Sequence, residues 1–528
     1  MASQTYDHSE FLNLRYYSGT YGNSDATARI QYYGMSGTPN LMFNGTLNIV
    51  GAAPSDADGK KYMGVIKSRY YDPAPVSVVV DSFNAATGAV SATVTMYSAT
   101  DSFDGAEDTF HFFLIEDDIS GDNTHITRAV INDTITLSGA GNTATFSGTF
   151  TIDPGWVQAN LRVIAIVQRQ DKEVVQAGSS YAQPAFSIRA MVPFSRVEIV
   201  SATRGSFETG DITVMNVGQT ETFTIDVVVD TAPADWTVSF KDSTGTTHTG
   251  PFAFGLNEQA STTFTATVTA PSSGYIEYHF EVTSTNLAKA LEIPLVLITD
   301  DVEALLVDDD GGKDFEDYFT AALEAAGVSF GVWDLDAGKL NTTVADTMGT
   351  LVWSIGEGYP SLDVTDRAFL EDYLDAGKRL FITGQDIGWD LNDAQSGNAD
   401  ATFYHDYLHA NYIRDNVNLY DVDGIPGDPV SDGIMLHIQG GDGANNQAYP
   451  SQIGPFDSDA VEIYSYHGQD WGAAIRSTDS TSGAKLVYLA FGFEAIDNAQ
   501  DRADVMRGAV YWLNGIVFRD DFESGDTG

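Results

Sequence analysis

The chain contains no cysteine. Disulfides, thiolate metal sites and thiol nucleophiles are therefore excluded together. Basic residues are scarce as well: 26 Lys and Arg stand against 74 Asp and Glu, a formal net charge of −48. Such a surface gains no counterion-release energy from nucleic acid and is repelled by anionic lipid, so neither is expected as a partner. No apolar run reaches the roughly 18 residues that a bilayer requires, so no membrane span is expected. The opening Met1-Ala2-Ser3-Gln4 has no basic, apolar or cleavage region, and a signal peptide is expected to be absent from this chain.

What is present suffices for folding. The chain has 528 residues, 43% of them hydrophobic and 12% aromatic, which suggests three or four domains with proper cores. Low Lys with abundant Gly, Ser, Thr, Asn and Asp fits an extracellular or cell-surface prokaryotic protein, and equally a salty or cation-rich habitat or solubility alone.

Pattern divides the chain. Residues 1–75 carry a short α/β pattern. Residues 76–192 alternate with period two, as in Ala92-Thr93-Val94-Thr95-Met96, and read as a β-sandwich with Phe110–Ile115 and Leu161–Val167 as central strands. Residues 193–299 add about seven strands, with Trp236 between two Thr-faced ones, and read as an immunoglobulin-like sandwich. From residue 300 to 515 strands alternate with helices, for example a helix from Asp314 to Ala326 closed by Gly327, which predicts a doubly wound, flavodoxin-like α/β domain. Residues 516–528 read as a tail. The fold class expected is thus multidomain β plus α/β.

A helix from Ala26 to Tyr33 followed by Gly37-Thr38-Pro39-Asn40-Leu41-Met42-Phe43 resembles the C-terminal half of a thioredoxin fold, as in bacterial thioredoxin-like surface proteins. The resemblance implies that Pro39 is cis. The redox helix of that family is missing. Half a thioredoxin sheet leaves an apolar face uncovered, so another subunit or another domain of the chain is expected to cover it, the alternative being that upstream residues were removed from a longer precursor. Tyr16, Tyr17, Tyr32 and Tyr33 are candidate assembly residues there, because tyrosine suits interfaces that are apolar at one end and wet at the other.

The strand Leu380-Phe381-Ile382-Thr383 leads into Gly384-Gln385-Asp386-Ile387-Gly388. Together with the preceding α/β pattern, it resembles class I glutamine amidotransferase-like domains of large secreted bacterial proteins, whose nucleophile elbow reads Gly-x-Cys-x-Gly. Here Asp386 stands where that family has cysteine, with Gly384 and Gly388 keeping the spacing. A carboxylate cannot replace the thiolate in that acyl transfer, so the elbow is degenerate and no catalytic residue is assigned.

A cation site is the better-supported chemistry. Open α/β sheets bind ligands beyond the carboxyl ends of their strands. Asp308, Asp309 and Asp310 fall at the end of the first strand of this region, Glu357 after the third and Asp386 after the fourth. Converging carboxylates repel unless protonated or joined by a cation, and hard oxygen donors favour Ca²⁺, with Mg²⁺ second. The alternative is a solvated acidic loop in which Asp308 or Asp309 caps the next helix. The acidic turns at 116–122 and 421–424 are further candidate Ca²⁺ loops. His405 and His409 have i, i+4 spacing on an expected helix, although Asp406 departs from the zincin motif. Trp333, Trp353, Trp389 and Trp471 could stack on sugar rings or pack in the core.

Two functions compete at this point. One is a secreted or cell-surface structural or adhesive protein, self-associating (as a filament subunit) or bound to another surface protein. The other is a secreted hydrolase or carbohydrate-binding protein that uses the crevice around Asp386.

Overall fold

The computed structural model describes residues 10–516, apart from 18, 36–39, 51–65, 67–68, 120–123, 203–204 and 336–337. Pro39 and the tail from residue 517 lie outside the described residues. The chain is a multidomain, β-rich protein. No helix among the described residues is long and apolar enough to cross a membrane.

The first segment forms a helix, Ser24–Tyr33, whose start is capped by Asn23 accepting from the Ala26 amide at 2.8 Å and whose end is closed by Gly34 in the left-handed region. An antiparallel hairpin of Asn40–Phe43 and Leu47–Val50 follows. The helix docks on its own chain, since Asp25 accepts from the Val130 amide at 2.8 Å.

Alternation builds the first sandwich. Ala89–Met96 buries every second residue, pairing with Val76–Phe83 and Thr143–Thr149. The facing sheet orders Ile126–Ser138, Ser102–Glu116, Leu161–Gln168 and Val174–Ser179. Phe110 stacks on Phe146 across the two sheets at 3.9 Å. Phe110–Ile115 is buried at every position, as a strand covered on both faces must be.

In the second sandwich one sheet centres on Ser261–Thr269, the other on Tyr275–Thr283. Its core holds Phe223, Phe240, Phe264 and Phe280, with Trp236 donating to the Ser272 hydroxyl at 3.0 Å. One boundary is corrected. Ile188–Met191, assigned above to the first sandwich by its position before Val192, pairs antiparallel with Ile212–Asn216 of the second. The second unit therefore begins before residue 188, because a strand belongs to the sheet that satisfies its backbone.

The C-terminal unit carries a nine-stranded sheet. Its strands are β1 (Ala304–Asp308), β2 (Phe330–Asp334), β3 (Thr350–Gly356), β4 (Arg379–Gly384), β5 (Asp421–Gly424), β6 (Met435–His437), β7 (Ala460–Tyr466), β8 (Gly472–Thr478) and β9 (Lys485–Leu489). Their spatial order is β2-β1-β3-β4-β9-β8-β7-β5-β6. The first five run parallel and the last four extend the sheet antiparallel. Helices α1 (Glu316–Ala326) and α6 (Ala499–Asn514) cover one face, while α2 (Thr342–Thr347) and α3 (Val364–Asp375) cover the other. Strand order reverses between β1 and β3, and it is beyond the carboxyl ends at such a reversal that open α/β sheets bind ligands. Two shorter helices follow β4: α4 (Ile387–Asn392) and α5 (Ala401–Asp406).

Candidate functional site

Strand alternation decides how the acidic run after β1 is distributed. Ala304 and Leu306 pack under α1 and α6, while Leu305 and Val307 pack on the α2–α3 side. Continuing that period sends Asp308 and Asp310 to the α1 side and Asp309 to the other. The neighbours agree. Asp309 accepts from the Trp353 indole at 3.0 Å and faces Asp366, Lys339 and Asp363. Asp308 faces Asp310, Asp334 and Glu316. The expected single group of Asp308, Asp309 and Asp310 is thus split by the sheet.

Asp310 organises the loop into α1. It is 1% exposed, and its two carboxylate oxygens accept from the amides of Lys313 at 2.7 Å and Phe315 at 2.8 Å. Neither Asp308 nor Asp309 caps α1; the residue before it is Phe315, without a side-chain cap. Gly356 lets β3 approach this loop. Its φ is +50°, and a Cβ there would lie 2.8 Å from that of Asp310 and 2.7 Å from the Phe315 ring. Asp308, Asp310 and Glu316 each bring an oxygen to within 4.8 Å of the other two. Glu316 sits in the first turn of α1.

Burial, then its like-charged neighbours, holds the Asp308 carboxyl well above the ordinary carboxylate range. Glu316 is pushed up to about 7, by burial first and then by Asp310, Asp314 and Asp317. Glu494, in the turn after β9, is fully buried and raised to about 7 by burial, with Asp310 and Glu357 adding to it. Glu357 lies 3.5 Å from the Lys313 ammonium.

Asp386 occupies a separate part of the crevice. It lies two residues past the end of β4 and immediately precedes α4, with no capping bond from its side chain. Burial raises its carboxyl to about 7, helped by Asp415, Asp390 and Glu357. Gly388 is required by packing, since a Cβ there would lie 2.7 Å from the Tyr412 ring. Gln385, 5% exposed, accepts from the amides of Ala448 at 2.8 Å and Tyr449 at 3.1 Å, and so pins the segment 446–449 over the turn.

Each described histidine has its partner elsewhere. His405 stacks on Phe456 at 4.0 Å, and His409 pairs with Asp457 at 2.8 Å. The expected helical pair fails because α5 ends at Asp406 and His409 turns to a positive φ of 50°. His437 pairs with Asp421 and His467 with Asp423, each at 2.7 Å. Those two aspartates lie on strand β5, so the candidate Ca²⁺ loop at 421–424 is a strand whose carboxylates are already paired. In the other acidic turn Glu116 binds Arg128 at 2.7 Å and Asp117 accepts from Tyr181 at 2.7 Å. Residues 120–123 of that turn lie outside the described residues.

Trp333 and Trp353 are core residues rather than sugar platforms, at 1% and 0% exposure. Trp389 lies 6.2 Å from Tyr359, and Trp471 lies under Arg414 at 4.4 Å. Among the assembly candidates, Tyr16 and Tyr33 turn inward. Tyr33 accepts from Arg29 at 2.7 Å, and Tyr16 lies 6.3 Å from Phe113 of the first sandwich. Tyr17 packs edge-on to Tyr21 at 5.7 Å, and Tyr32 is 39% exposed.

No family model matches the chain, and no curated protein matches it. Among solved structures, each of the following has a TM-score of 0.16 and covers 22% of this chain. A PapD-like domain of human CEP192 is 10% identical with 87% of its own length covered. A conjugative transposon lipoprotein from Bacteroides eggerthii is 14% identical, and a FixG-related protein from Vibrio parahaemolyticus 12%, each with 98% of its length covered. Likenesses at this score are too slight to carry an argument about fold or function.

Proposed function

We propose that this is a structural or adhesive protein of the extracellular space or cell surface, built of β-sandwiches and a non-catalytic α/β unit, and that it works by self-association or by binding another surface protein. The observation that carries the reading is the chemistry of Asp386. A strand, a tight turn and a helix present it as an elbow would. Yet it is a carboxyl, which cannot replace the thiolate of acyl transfer, and His409, His437 and His467 each pair with another aspartate.

In this reading residues 300–515 are a degenerate class I glutamine amidotransferase-like domain. The parallel order β2-β1-β3-β4-β9 and the glycine spacing at 384 and 388 support that descent. The second sandwich, from before residue 188 to Thr299, is immunoglobulin-like, and residues 1–75 descend from half a thioredoxin fold.

Two measurements test the proposal. Light scattering and negative-stain microscopy of the purified chain should show oligomers or filaments; a strict monomer at all concentrations counts against self-association. A panel of amide, ester and glycoside substrates should show no turnover. Turnover that disappears in Asp386→Ala would overturn the non-catalytic reading and establish a hydrolase using the crevice.

A further inference from the structure

Four buried oxygens near the carboxyl ends of β1, β3 and β9 have no hydrogen-bond partner: Glu316 Oε2, Glu494 Oε2, Ser354 Oγ and Asn446 Oδ1. Leaving a buried polar atom unpaired costs about 1–3 kcal/mol, and more when it belongs to a charged group. Native structures therefore keep few such atoms, and a cluster of them calls for an occupant. Two of the four are tied directly to the acidic group. Glu316 belongs to it. Ser354 is the register partner of Asp308 in the β1–β3 ladder, so both side chains leave the sheet on the same face. Asn446 donates to the other Glu494 oxygen at 2.8 Å.

Glu494 is the observation independent of the acidic group itself. It comes from the far end of the chain, is fully buried with one oxygen unsatisfied, and lies near enough to Asp310 and Glu357 for their charges to raise it. Burying a carboxyl there is unfavourable unless something positive or hydrogen-donating meets it. Lys313, the cation of this loop, lies 3.5 Å from Glu357.

We propose that Asp308, Asp310 and Glu316 bind one divalent oxygen-seeking cation, Ca²⁺ in preference to Mg²⁺, with Glu494 and Ser354 supplying or supporting further donors. The spacing fits. Oxygens on opposite sides of a Ca²⁺ ion at 2.3–2.6 Å stand roughly 4.6–5.2 Å apart. The three carboxylate oxygens here lie within 4.8 Å of one another, so a centre no more than about 2.8 Å from each exists, and a side-chain movement of a few tenths of an ångström brings all three to Ca²⁺ distance. Ca²⁺ is favoured because it accepts six to eight donors in irregular geometry, whereas Mg²⁺ demands a near-ideal octahedron and retains water. Asp310 is held by two backbone amides and cannot reorient to build that octahedron. The site lies at the reversal of strand order, apart from Asp386, and does not depend on whether the chain assembles.

Isothermal titration of chelator-stripped protein with CaCl₂, and separately with MgCl₂, tests the site, with thermal unfolding followed in parallel. One Ca²⁺ should bind with a dissociation constant in the range of about 1 μM to 1 mM, more tightly than Mg²⁺, and raise the unfolding temperature. Asp308→Asn and Glu316→Gln should each weaken binding at least about tenfold, the loss of a charged donor being worth 1.4 kcal/mol or more. Asp423→Asn, which removes an acidic residue paired with His467 on β5, should leave binding unchanged. If the two ligand variants fail to fold, Glu494→Gln, which keeps the Asn446 hydrogen bond, should still weaken Ca²⁺ binding. Absence of heat and of any thermal shift with both ions at about 10 mM would overturn the proposal. So would unchanged affinity in the ligand variants, which would place the ion elsewhere, and tighter binding of Mg²⁺ would overturn the choice of ion.

Discussion

The Trp353 indole donates to Asp309 at 3.0 Å from the adjacent strand, and this bond holds the middle aspartate of three on the opposite face of the sheet from the other two. Trp353 is wholly buried, so its N–H has no water to turn to. Trp353→Phe keeps most of the ring and deletes the donor. We expect a loss of about 1–3 kcal/mol in urea unfolding, the usual cost of an unsatisfied buried acceptor. A double-mutant cycle with Asp309→Ala should return a coupling energy above 0.5 kcal/mol. Additive effects would show that the two residues stabilise the fold independently.

Much of the strand framework was legible because burial follows side-chain period. Ala92, Val94 and Met96 alternate with Ser91, Thr93 and Thr95 in the sequence as they do in the sheet. The same period, extended past β1, separates Asp309 from Asp308 and Asp310; reading the run as one loop missed it. Glu316 was hidden by helix onset, since the chain spends Asp310 on the amides of Lys313 and Phe315 before α1 begins. Glu494 was hidden differently. It sits in the apolar run after β9 and comes within reach of the Asp310 charge only because β9 lies beside β4 in the sheet. Pairing at that sequence distance leaves no local signal. Gln385 carried no signal either, because its partners are backbone amides more than 60 residues away.

Acid pH should stabilise the α/β unit through Asp386. Its native carboxyl titrates near 7 against an ordinary 3.8, so the unfolded chain gives up the proton first as pH rises. The contribution to stability is whole below about pH 4 and is lost as pH climbs through 7. Asp386→Asn removes the titration. In chelator, the variant should be more stable than the parent at pH 8 by about 2–4 kcal/mol, and no more stable at pH 4. Calorimetry at both values checks this. An equal effect at both pH values would mean that the side chain acts by packing and not by charge.

The first sandwich should behave in the opposite sense. His111 is 5% exposed, and burial, seconded by the nearby Arg29 guanidinium, depresses its imidazole from 6.5 to about 4. Between these values the unfolded chain binds a proton that the native chain refuses. Stability present above pH 6.5 is therefore lost as pH falls toward 4, by on the order of 3 kcal/mol. His111→Gln can retain a hydrogen bond to Asn132 or Thr109 without a titrating group. It should flatten the acid limb of the calorimetric transition belonging to residues 76–180, while leaving the Asp386-dependent transition in place. A limb that keeps its slope would assign the acid sensitivity to other groups.

Gln385 ties the crevice together. Its side-chain oxygen accepts from the Ala448 and Tyr449 amides and also from Gln447 at 3.2 Å, while Gln447 accepts from the Gly492 amide at 2.8 Å. Gln385→Ala leaves at least two backbone N–H groups unpaired, for an expected loss of about 2–4 kcal/mol. The local effect should exceed the global one. In hydrogen exchange, peptides spanning residues 444–451 should lose protection by at least about tenfold more than peptides of β3 or β4. Because the same segment carries Asn446 to Glu494, loosening it should also weaken Ca²⁺ binding several-fold without touching Asp308, Asp310 or Glu316. Lost protection with unchanged Ca²⁺ affinity would restrict the ion to those three carboxylates and remove Glu494 from its coordination. Unchanged protection would mean that residues 446–449 are held by their bonds to Gly492 and Glu494 in the turn after β9, and that the Gln385 bonds are incidental.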